Sequence, residues 1–313
     1  MTTAAAPVAH AGAFWHGAAL YRGQQDLLAI LAPFVRAGLE AGEPVLVAEL
    51  PDRVRALRRE LGPDASRVQF VDMATVGANP ARIIPVWRQF VAAHPGRAVR
   101  GVGEPAWPGR TGAELDECRL HESLLNLAFE DLDTEFRLLC PYDAERLPSD
   151  VLDDAGRNHP VLTPAAHVPG YAGTPAAAEL FRRPLPDPPA AAERMQFGAD
   201  DLAGLRSLVR RLCDLVPLGA GEADDLVLAM HELATNSVVH GGGGGVLRGW
   251  LRPTALVVEV SDAGHIEDPL VGRRQAPALD GGGRGIWMTN QLCDLVQVRS
   301  SAAGTTVRVH TWR

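Results

Sequence analysis

Lysine is absent from this chain of 313 residues, so all 30 basic residues are arginines. A phosphate-binding loop of the Walker type ends in Gly-Lys-Ser/Thr, and the missing lysine therefore excludes such a loop. Acidic residues outnumber basic ones and give a formal net charge of −8. This charge argues against binding of nucleic acid through the overall field of the protein, and we expect no nucleic-acid partner.

Long apolar runs and paired cysteines are also missing. No stretch of about 18 apolar residues occurs, and residues 1–13 lack the basic start of a signal peptide. The cysteines show no metal-ligand or redox spacing; they are Cys118, Cys140, Cys213 and Cys293. We therefore expect reduced thiols, a cytoplasmic location and no membrane partner.

Helical and strand patterns alternate in the N-terminal half. Apolar periodicity predicts helices over 26–41, 52–61, 81–93 and 114–129, and strands over 44–49, 68–72, 98–102 and 136–140. Strands that alternate with helices of this length predict an α/β fold with a doubly wound parallel sheet. Ligands of such sheets lie beyond the carboxyl ends of the strands, where Glu104, Tyr142 and Asp143 are placed.

Residues 171–193 are rich in proline and alanine, which predicts a semi-rigid, partly extended linker. The linker divides the chain into a domain of residues 10–170 and a domain of residues 194–313. In the second domain we expect a strand over 195–197, a helix over 200–214, a helix over 222–239, a strand over 256–260 and a helix over 286–295.

Three short segments of the second domain, 231–236, 262–264 and 281–285, together predict a nucleotide pocket. Glu232 and Asn236 lie four residues apart on a helix, so both side chains leave the same face. Such a pair can hold Mg²⁺ through the amide oxygen while the carboxylate takes a proton. Asp262 can accept a hydrogen bond from an exocyclic amine, and Gly264 lets the backbone approach a flat base.

The glycine run 281–285 opens a helical segment whose free N–H groups and positive dipole end suit a triphosphate. Each segment also has an ordinary interpretation. A Glu and an Asn on one helix face are usually solvated, Asp-Ala-Gly is a common turn, and glycine runs are often flexible loops. The joint occurrence in this order favours the nucleotide site.

With the closing segment Gly304-Thr305-Thr306, residues 194–313 resemble the ATP-binding Bergerat (GHKL) fold of gyrase, histidine kinases and mismatch-repair ATPases. They are most similar to the small anti-sigma-factor serine kinases, which implies a C-terminal α/β sandwich. The resemblance implies ATP and Mg²⁺ as cofactors, Glu232 as general base, Asn236 as Mg²⁺ ligand and Asp262 as the adenine reader. It implies further ligand contacts from Gly264, Gly281, Gly283, Gly285 and Thr306. Arg284 could neutralise the γ-phosphate. His240 could reach a phosphate, and a structural role for it is left open.

The N-terminal half resembles the MEDS sensory domain in its Leu138–Asp143 strand ending, early His16, residues 38–43, Gly103-Glu104 and His159-Pro160. The family is related to RecA- and KaiC-type folds but lacks their phosphate loop. We predict a sensory pocket, with a ligand that the fold does not identify, from His16, Glu104, Trp107, Glu122, Tyr142, Asp143 and His159. Glu122 on a solvated helix edge and His159 as a turn cap are left open.

A metal or haem ligand pair is another possibility in this half, because Cys118 and His121 lie one helical turn apart. Two ligands fall short of a site, and we expect none there.

The two resemblances together imply a sensory domain coupled to an ATP-dependent serine/threonine kinase that regulates transcription by partner switching. The implied substrate is an anti-anti-sigma protein of the STAS type, with a sigma factor as the alternative client and a homodimer as a possible assembly. A non-catalytic, ATP-gated module that sequesters a partner is one alternative function. A sensor histidine kinase is another, but it needs a helix with a phosphorylatable histidine, which a proline-rich linker cannot supply.

Overall fold

The computed structural model describes residues 13–163, 166–167, 170–274 and 284–313. The chain divides after Ala176 into unit 1, Met1–Ala176, and unit 2, Ala177–Arg313. Across the described residues, no helix is both long enough and apolar enough to cross a membrane.

Unit 1 is built on a seven-stranded sheet of order β3-β2-β4-β5-β1-β6-β7. Its strands are β1 Phe14–Tyr21, β2 Val45–Glu49, β3 Val68–Asp72, β4 Val99–Gly103, β5 Phe136–Asp143, β6 Val161–Thr163 and β7 Ala166–His167. Its helices are α1 Gly23–Glu40, α2 Pro51–Leu61, α3 Met73–Val76, α4 Ile83–Ala92, α5 Gly112–Ala128 and α6 Ser149–Asn158. All pairs are parallel except the short β6–β7 pair.

Helices cover both faces of this sheet, which confirms the doubly wound arrangement. On one face, Leu31 of α1 and Leu57 of α2 share a buried cluster with Val47 of β2. On the other face, Trp87 of α4 packs against β4. A Cβ atom at Gly101 would lie 2.9 Å from the indole of Trp87, so the glycine makes room for that ring.

The interior strand β1 has no counterpart among the strands predicted from the sequence. β1 lies between β5 and β6, in parallel register with both. Its sequence, FWHGAALY, has three aromatic residues but no β-branched one, and its central glycine and two alanines are disfavoured in strands, so the strand pattern is weak. The helix α6 and the strand β6 were not predicted either.

Unit 2 consists of a five-stranded antiparallel sheet of order β11-β12-β10-β9-β8 and three main helices. The strands are β8 Glu193–Gly198, β9 Gly244–Arg252, β10 Ala255–Asp262, β11 Leu295–Ser301 and β12 Gly304–Trp312; the helices are α8 Leu202–Cys213, α9 Ala220–His240 and α10 Arg284–Leu292. The predicted α/β sandwich is confirmed. α10 ends at Leu292, short of the predicted residue 295, because Leu295 begins β11.

The alternation of side chains along β10 decides which residues face the helices. A Cβ atom at Gly249 would lie 2.3 Å from Leu212 of α8, and Gly249 is in register with Val258. Val258 therefore faces the helices, and with a period of two so does Asp262 at the strand end. The intervening residues, such as Glu259, face the other side of the sheet.

The predicted linker contains more structure than expected. Pro175–Arg182 forms α7, in which Ala177 and Phe181 are buried. A proline at the helix start followed by three alanines explains this helix. Farther on, the Pro186 carbonyl accepts a hydrogen bond of 2.7 Å from Arg308 of β12. The expectation of an unpacked linker is therefore wrong for these two stretches.

Candidate functional site

The long helix α9 presents Glu232 and Asn236 one turn apart, both half-buried. Leu233 and Ser237, their neighbours along the helix, are buried instead. Within the described part of the chain, the side chains of Glu232 and Asn236 make no hydrogen bond to another residue. Both polar ends are therefore available to a ligand.

Asp262 is held in place at the end of β10 by two hydrogen bonds. The Ser237 hydroxyl donates to Oδ2 at 2.6 Å, and the backbone N–H of Gly264 donates to Oδ1 at 2.8 Å. A carboxylate has about four lone-pair directions, so an oriented acceptor remains after these two bonds. Ser237, one residue after Asn236, was not recognised in the sequence.

Glycines allow the end of α9 to touch the turn after β10. A Cβ atom at Gly264 would lie 2.9 Å from Gly241 Cα and 2.9 Å from the His240 carbonyl oxygen. A Cβ atom at Gly241 would lie 2.5 Å from Asp262 Cγ. Real Cβ atoms do not approach so closely, so this backbone contact requires glycine at both positions. His240 itself is the exposed last residue of α9.

The closing strand β12 brings Thr305, rather than the predicted Thr306, next to Asp262. Thr305 is in register with Asp262, and its hydroxyl donates to the Gly264 carbonyl at 2.9 Å. Thr306 is in register with Ser261, on the opposite face of the sheet. Adjacent residues of a strand point to opposite faces, and the sequence alone did not reveal which threonine faces inward.

The start of α10 lies against the Asn236 side chain. A Cβ atom at Gly285 would lie 2.6 Å from Asn236 Nδ2. Arg284, the first residue of α10, is exposed. Gly281 and Gly283 lie outside the described residues, so their predicted contacts with a ligand stay predictions. Asn236 and Gly285 are thus in contact, as are Asp262 and Gly264.

A cavity of about 1140 Å³ lies on the other face of the sheet of unit 2, and its lining includes Thr306, Arg248, Glu259 and Arg308. Glu259 accepts hydrogen bonds from Arg308 Nε at 2.9 Å and Nη2 at 2.6 Å. Neither Glu232 nor Asn236 lines this cavity. Asp262, Thr305 and Thr306 do line it, so the cavity reaches the end of β10 but not the Glu232 and Asn236 side chains.

In unit 1 the predicted sensory residues fall into separate groups. Glu104 lies in a buried group at the strand ends, where it accepts a hydrogen bond of 3.0 Å from the Tyr21 hydroxyl and pairs with Arg53. Arg53 also lies 3.7 Å from Glu49. Burial raises the pKa of Glu49 to about 7, against the effect of Arg53. Two carboxylates here share one arginine.

Asp143 and Trp107 have local partners. Asp143 Oδ1 accepts hydrogen bonds from the backbone N–H groups of Glu145 and Arg146, so it closes a turn after β5. The guanidinium of Arg110 lies 3.4 Å from the centre of the Trp107 ring. The structure therefore supplies structural roles for both side chains.

Four other side chains form a fully buried cluster, which we call the His16 cluster: His16 on β1, Glu122 on α5, Cys140 on β5 and His159 after α6. His16 Nε2 and His159 Nε2 lie 3.2 Å and 3.1 Å from the same oxygen, Glu122 Oε2. Cys140 Sγ lies 3.4 Å from His16 Nε2. Tyr142 packs edge-on against His159. Glu122 is 1 % exposed, so it does not lie on a solvated helix edge.

Burial dominates the electrostatics of the His16 cluster. It lowers the pKa of His16 to about 4, and the neighbouring His159 acts in the same direction. It raises the pKa of the Cys140 thiol well above its usual range, with Glu122 adding to the effect. Burial alone would raise the pKa of Glu122, but the neighbouring imidazoles of His159 and His16 hold it well below its usual range. Glu122 is therefore a carboxylate at neutral pH.

Cys118 and His121 do not join this cluster. The Cys118 thiol donates to the Pro105 carbonyl at 3.2 Å, and burial raises its pKa to about 12. Among the described residues, the group with metal-ligand geometry contains neither of them.

Comparisons with protein families match both units. Residues 15–160 match the model described as the methanogen/methylotroph, DcmR sensory domain (MEDS), and residues 196–311 match the model of the histidine kinase-like ATPase domain. Both ranges lie inside the two domains expected from the sequence. No curated protein matches the chain.

Similar solved structures include the RsbU and RsbW domains of Rv1364c from Mycobacterium tuberculosis, at 18 % identity, a TM-score of 0.30 and coverage of 40 % of this chain and 34 % of that chain. A DnaB-like replicative helicase with its primase interactions has 11 % identity, a TM-score of 0.32, and coverage of 82 % and 54 %. A third structure, of an ATPase domain, has 12 % identity, a TM-score of 0.31, and coverage of 82 % and 78 %.

The chain spans about a third of the first of these structures and about half of the second. TM-scores in this range do not establish a shared fold, and we draw no function from them. The family matches cover most of both units. Residues 15–160 therefore match the MEDS sensory-domain family, and residues 196–311 match the histidine kinase-like ATPase domain family.

Proposed function

We propose that unit 2 is an ATP-dependent serine/threonine protein kinase of the anti-sigma type, controlled by the sensory unit 1. The carboxylate of Asp262, held by Ser237 and Gly264, is the observation that carries the proposal. It lies beside the helix that presents Glu232 and Asn236. The match to a histidine kinase-like ATPase domain implies ATP binding in the same unit.

In this proposal, Asp262 recognises adenine. An oriented carboxylate accepts a hydrogen bond from the exocyclic amine of adenine, whereas guanine presents a carbonyl oxygen there and is repelled. Gly264 offers a surface without a side chain on which a flat base can lie. Thr305 supports this surface because its hydroxyl holds the Gly264 carbonyl.

In this proposal, residues near the start of α10 bind the phosphates. Asn236, whose side chain has no hydrogen-bond partner among the described residues, fits a Mg²⁺ ligand through its amide oxygen. Bound Mg²⁺ neutralises phosphate charge. Arg284 can add positive charge, and the start of α10 contributes its dipole. Glu232 orients the incoming hydroxyl and takes its proton. His240 stays a candidate phosphate contact.

The protein substrate follows from the resemblance to small anti-sigma-factor kinases. We propose a serine or threonine on an anti-anti-sigma protein of the STAS type, with a sigma factor as the alternative client. Phosphorylation would then decide which partner is bound and so couple the signal read by unit 1 to transcription. A cytoplasmic location and a homodimer belong to the same proposal.

The segment between α6 and β8 does not support a histidine-kinase mechanism. Between α6 and β8, the described residues contain one helix longer than a turn, the eight-residue α7, which has no histidine. A phosphoacceptor helix pair needs longer helices that carry a histidine. The serine/threonine mechanism is therefore favoured.

The decisive experiment compares wild type with Glu232→Gln, using radiolabelled ATP and a STAS protein. We expect Glu232→Gln to bind ATP and the partner as wild type does, and to lose at least about 100-fold in phosphotransfer rate, the range of general-base catalysis. Glu193→Gln, an exposed change on β8, is the matched control.

Two results would speak against this mechanism. If Glu232→Gln transfers phosphate at the wild-type rate, Glu232 is not the base. If wild type binds the partner only with ATP but never transfers phosphate, unit 2 is instead an ATP-gated sequestering module.

A further inference from the structure

The His16 cluster brings one oxygen, one sulfur and two nitrogen atoms together in the interior of unit 1. The four donor atoms come from four separate segments of the chain and all lie within 4.8 Å of one another. Two imidazoles, a thiol and a carboxylate are the donors that proteins use for transition metals. Hydrophobic side chains would fill this position at lower cost, because burial of a carboxylate is expensive.

Both histidine rings are oriented by their Nδ1 atoms. His16 Nδ1 lies 3.1 Å from Asn126 Oδ1, and Asn126 Nδ2 donates to the Asn158 carbonyl at 2.8 Å. The second bond fixes the orientation of the amide, so that an acceptor faces His16. His159 Nδ1 lies 2.8 Å from the Ala155 carbonyl oxygen. Each ring therefore donates through Nδ1–H and, when neutral, has a lone pair on Nε2.

These two Nε2 lone pairs point towards a carboxylate, which is unfavourable unless a cation lies between them. Glu122 Oε1 and His159 Nε2 are buried and have no hydrogen-bond partner among the described residues. One extra proton could form a hydrogen bond between one imidazole and Glu122, but it would leave the other Nε2 and the thiol of Cys140 without a partner of opposite charge. A divalent ion can be coordinated by all four donor atoms. With Glu122 and the Cys140 thiolate ionised, it also makes the buried group electrically neutral.

We propose that the His16 cluster is a binding site for a divalent transition-metal ion of the Zn²⁺ type. A tetrahedral zinc ion with ligands at about 2.0–2.3 Å places its donors about 3.3–3.8 Å apart. Three separations in the cluster are 3.1, 3.2 and 3.4 Å and none exceeds 4.8 Å, so modest side-chain movements suffice for coordination. Asn126 and the Ala155 carbonyl are the outer partners that fix ligating imidazoles. Mg²⁺ and Ca²⁺ are disfavoured by the sulfur and nitrogen donors.

Such an ion would connect the central strands β1 and β5 to α5 and to the segment after α6. Because His16 lies on an interior strand of the sheet, metal binding would tie the sheet to its helical layer. The site is independent of the nucleotide pocket, since all four ligands belong to unit 1.

Cobalt titration of the full-length protein tests the proposal. Reduced, chelator-treated protein should bind one equivalent of Co²⁺ per chain, with a thiolate-to-cobalt charge-transfer band and the intense visible bands of a tetrahedral ion. Zn²⁺ should displace it. Cys140→Ser should abolish the charge-transfer band. Cys118→Ser removes another buried thiol outside the cluster and should leave the band unchanged.

A second variant tests the outer partners. Asn126→Ala should keep the charge-transfer band but weaken metal affinity about 10- to 100-fold, because the orientation of His16 is lost. Circular dichroism and urea unfolding, each compared with wild type, check that each variant is folded.

Several results would overturn the site. Wild-type protein that binds neither Co²⁺ nor Zn²⁺ is one, and a charge-transfer band that persists in folded Cys140→Ser is another. If Cys140→Ser does not fold, X-ray absorption of the zinc-loaded wild type decides the question. One sulfur and three nitrogen or oxygen ligands support the proposal, and an environment without sulfur refutes it.

Discussion

Replacement of Asp262 by Asn is the sharpest test of the nucleotide pocket. The change keeps the shape of the side chain, and its oxygen can still accept the Gly264 N–H bond. The new amide group can donate to the Ser237 hydroxyl, which accepts as well as donates. The fold should therefore tolerate the substitution. Towards the ligand, however, a negatively charged acceptor is replaced by a neutral amide.

The expected loss of affinity follows from the hydrogen bond that disappears. A hydrogen bond to a charged group contributes about 1.5–3 kcal/mol, and about 1.4 kcal/mol corresponds to a factor of ten in binding. The dissociation constant for ATP should therefore rise about 10- to 150-fold. Preference for ATP over GTP should narrow at the same time, because the amide no longer repels the guanine carbonyl oxygen.

Isothermal titration calorimetry with ATP and GTP, in Mg²⁺, measures both effects. Asp224→Asn makes the same charge change at an exposed position on α9, where Asp224 pairs with Arg210, and should leave both dissociation constants unchanged. Folded Asp262→Asn protein with wild-type ATP affinity and unchanged purine preference would refute the assignment of Asp262 to adenine.

The threonine pair of β12 makes a second prediction: Thr305→Val should weaken ATP binding by about 0.5–1.5 kcal/mol, whereas Thr306→Val should not, because only Thr305 holds the Gly264 carbonyl. Equal losses of ATP affinity in the same calorimetric assay would show that the face of the sheet on which the threonine lies has no effect on ATP binding. A third prediction concerns pH. Burial, followed by Arg252 and Arg308, lowers the pKa of His310 from 6.5 to about 3. As the pH falls, His310 therefore takes up a proton in the unfolded chain before it does so in the folded protein. Its contribution to the free energy of unfolding is fully present above about pH 6.5 and is lost as the pH falls towards 3. At pH 5 the loss is about 2 kcal/mol. In urea unfolding of unit 2, His310→Gln should therefore lose less stability than wild type between pH 7 and 5; parallel curves would contradict this.

The proximity of the candidate nucleotide-site residues was predictable because they lie in short contiguous motifs. Glu232 and Asn236 are related by helical spacing alone, and Asp262 and Gly264 by two residues of chain. Thr305 required the register of β12 against β10, which depends on long-range pairing that the sequence does not state. Ser237 carried no signal beyond its position on the buried face of α9.

The interior of unit 1 was harder to predict, because its polar residues are far apart along the chain. His16, Glu122 and His159 were recognised, but they were grouped with Glu104, Trp107 and Asp143, which have partners elsewhere. Cys140 and Asn126 were overlooked as members of the His16 cluster. Its assembly depends on β1, whose composition does not identify it as a strand, lying directly beside β5.

The bond between Pro186 and Arg308 bears on where the ATPase domain can be cut from the chain. Arg308 is buried and ion-paired with Glu259, and Ala192 packs on the cluster of Trp250 and Val257. A fragment that starts at residue 194 lacks the Pro186 carbonyl that accepts from Arg308. It also lacks Ala192 and would therefore expose more of the Trp250 indole to water. Pro186 and Ala192, which the sequence pattern places in a linker, therefore cover one face of the sheet of unit 2. We expect that a stable fragment of the ATPase domain has to begin before β8.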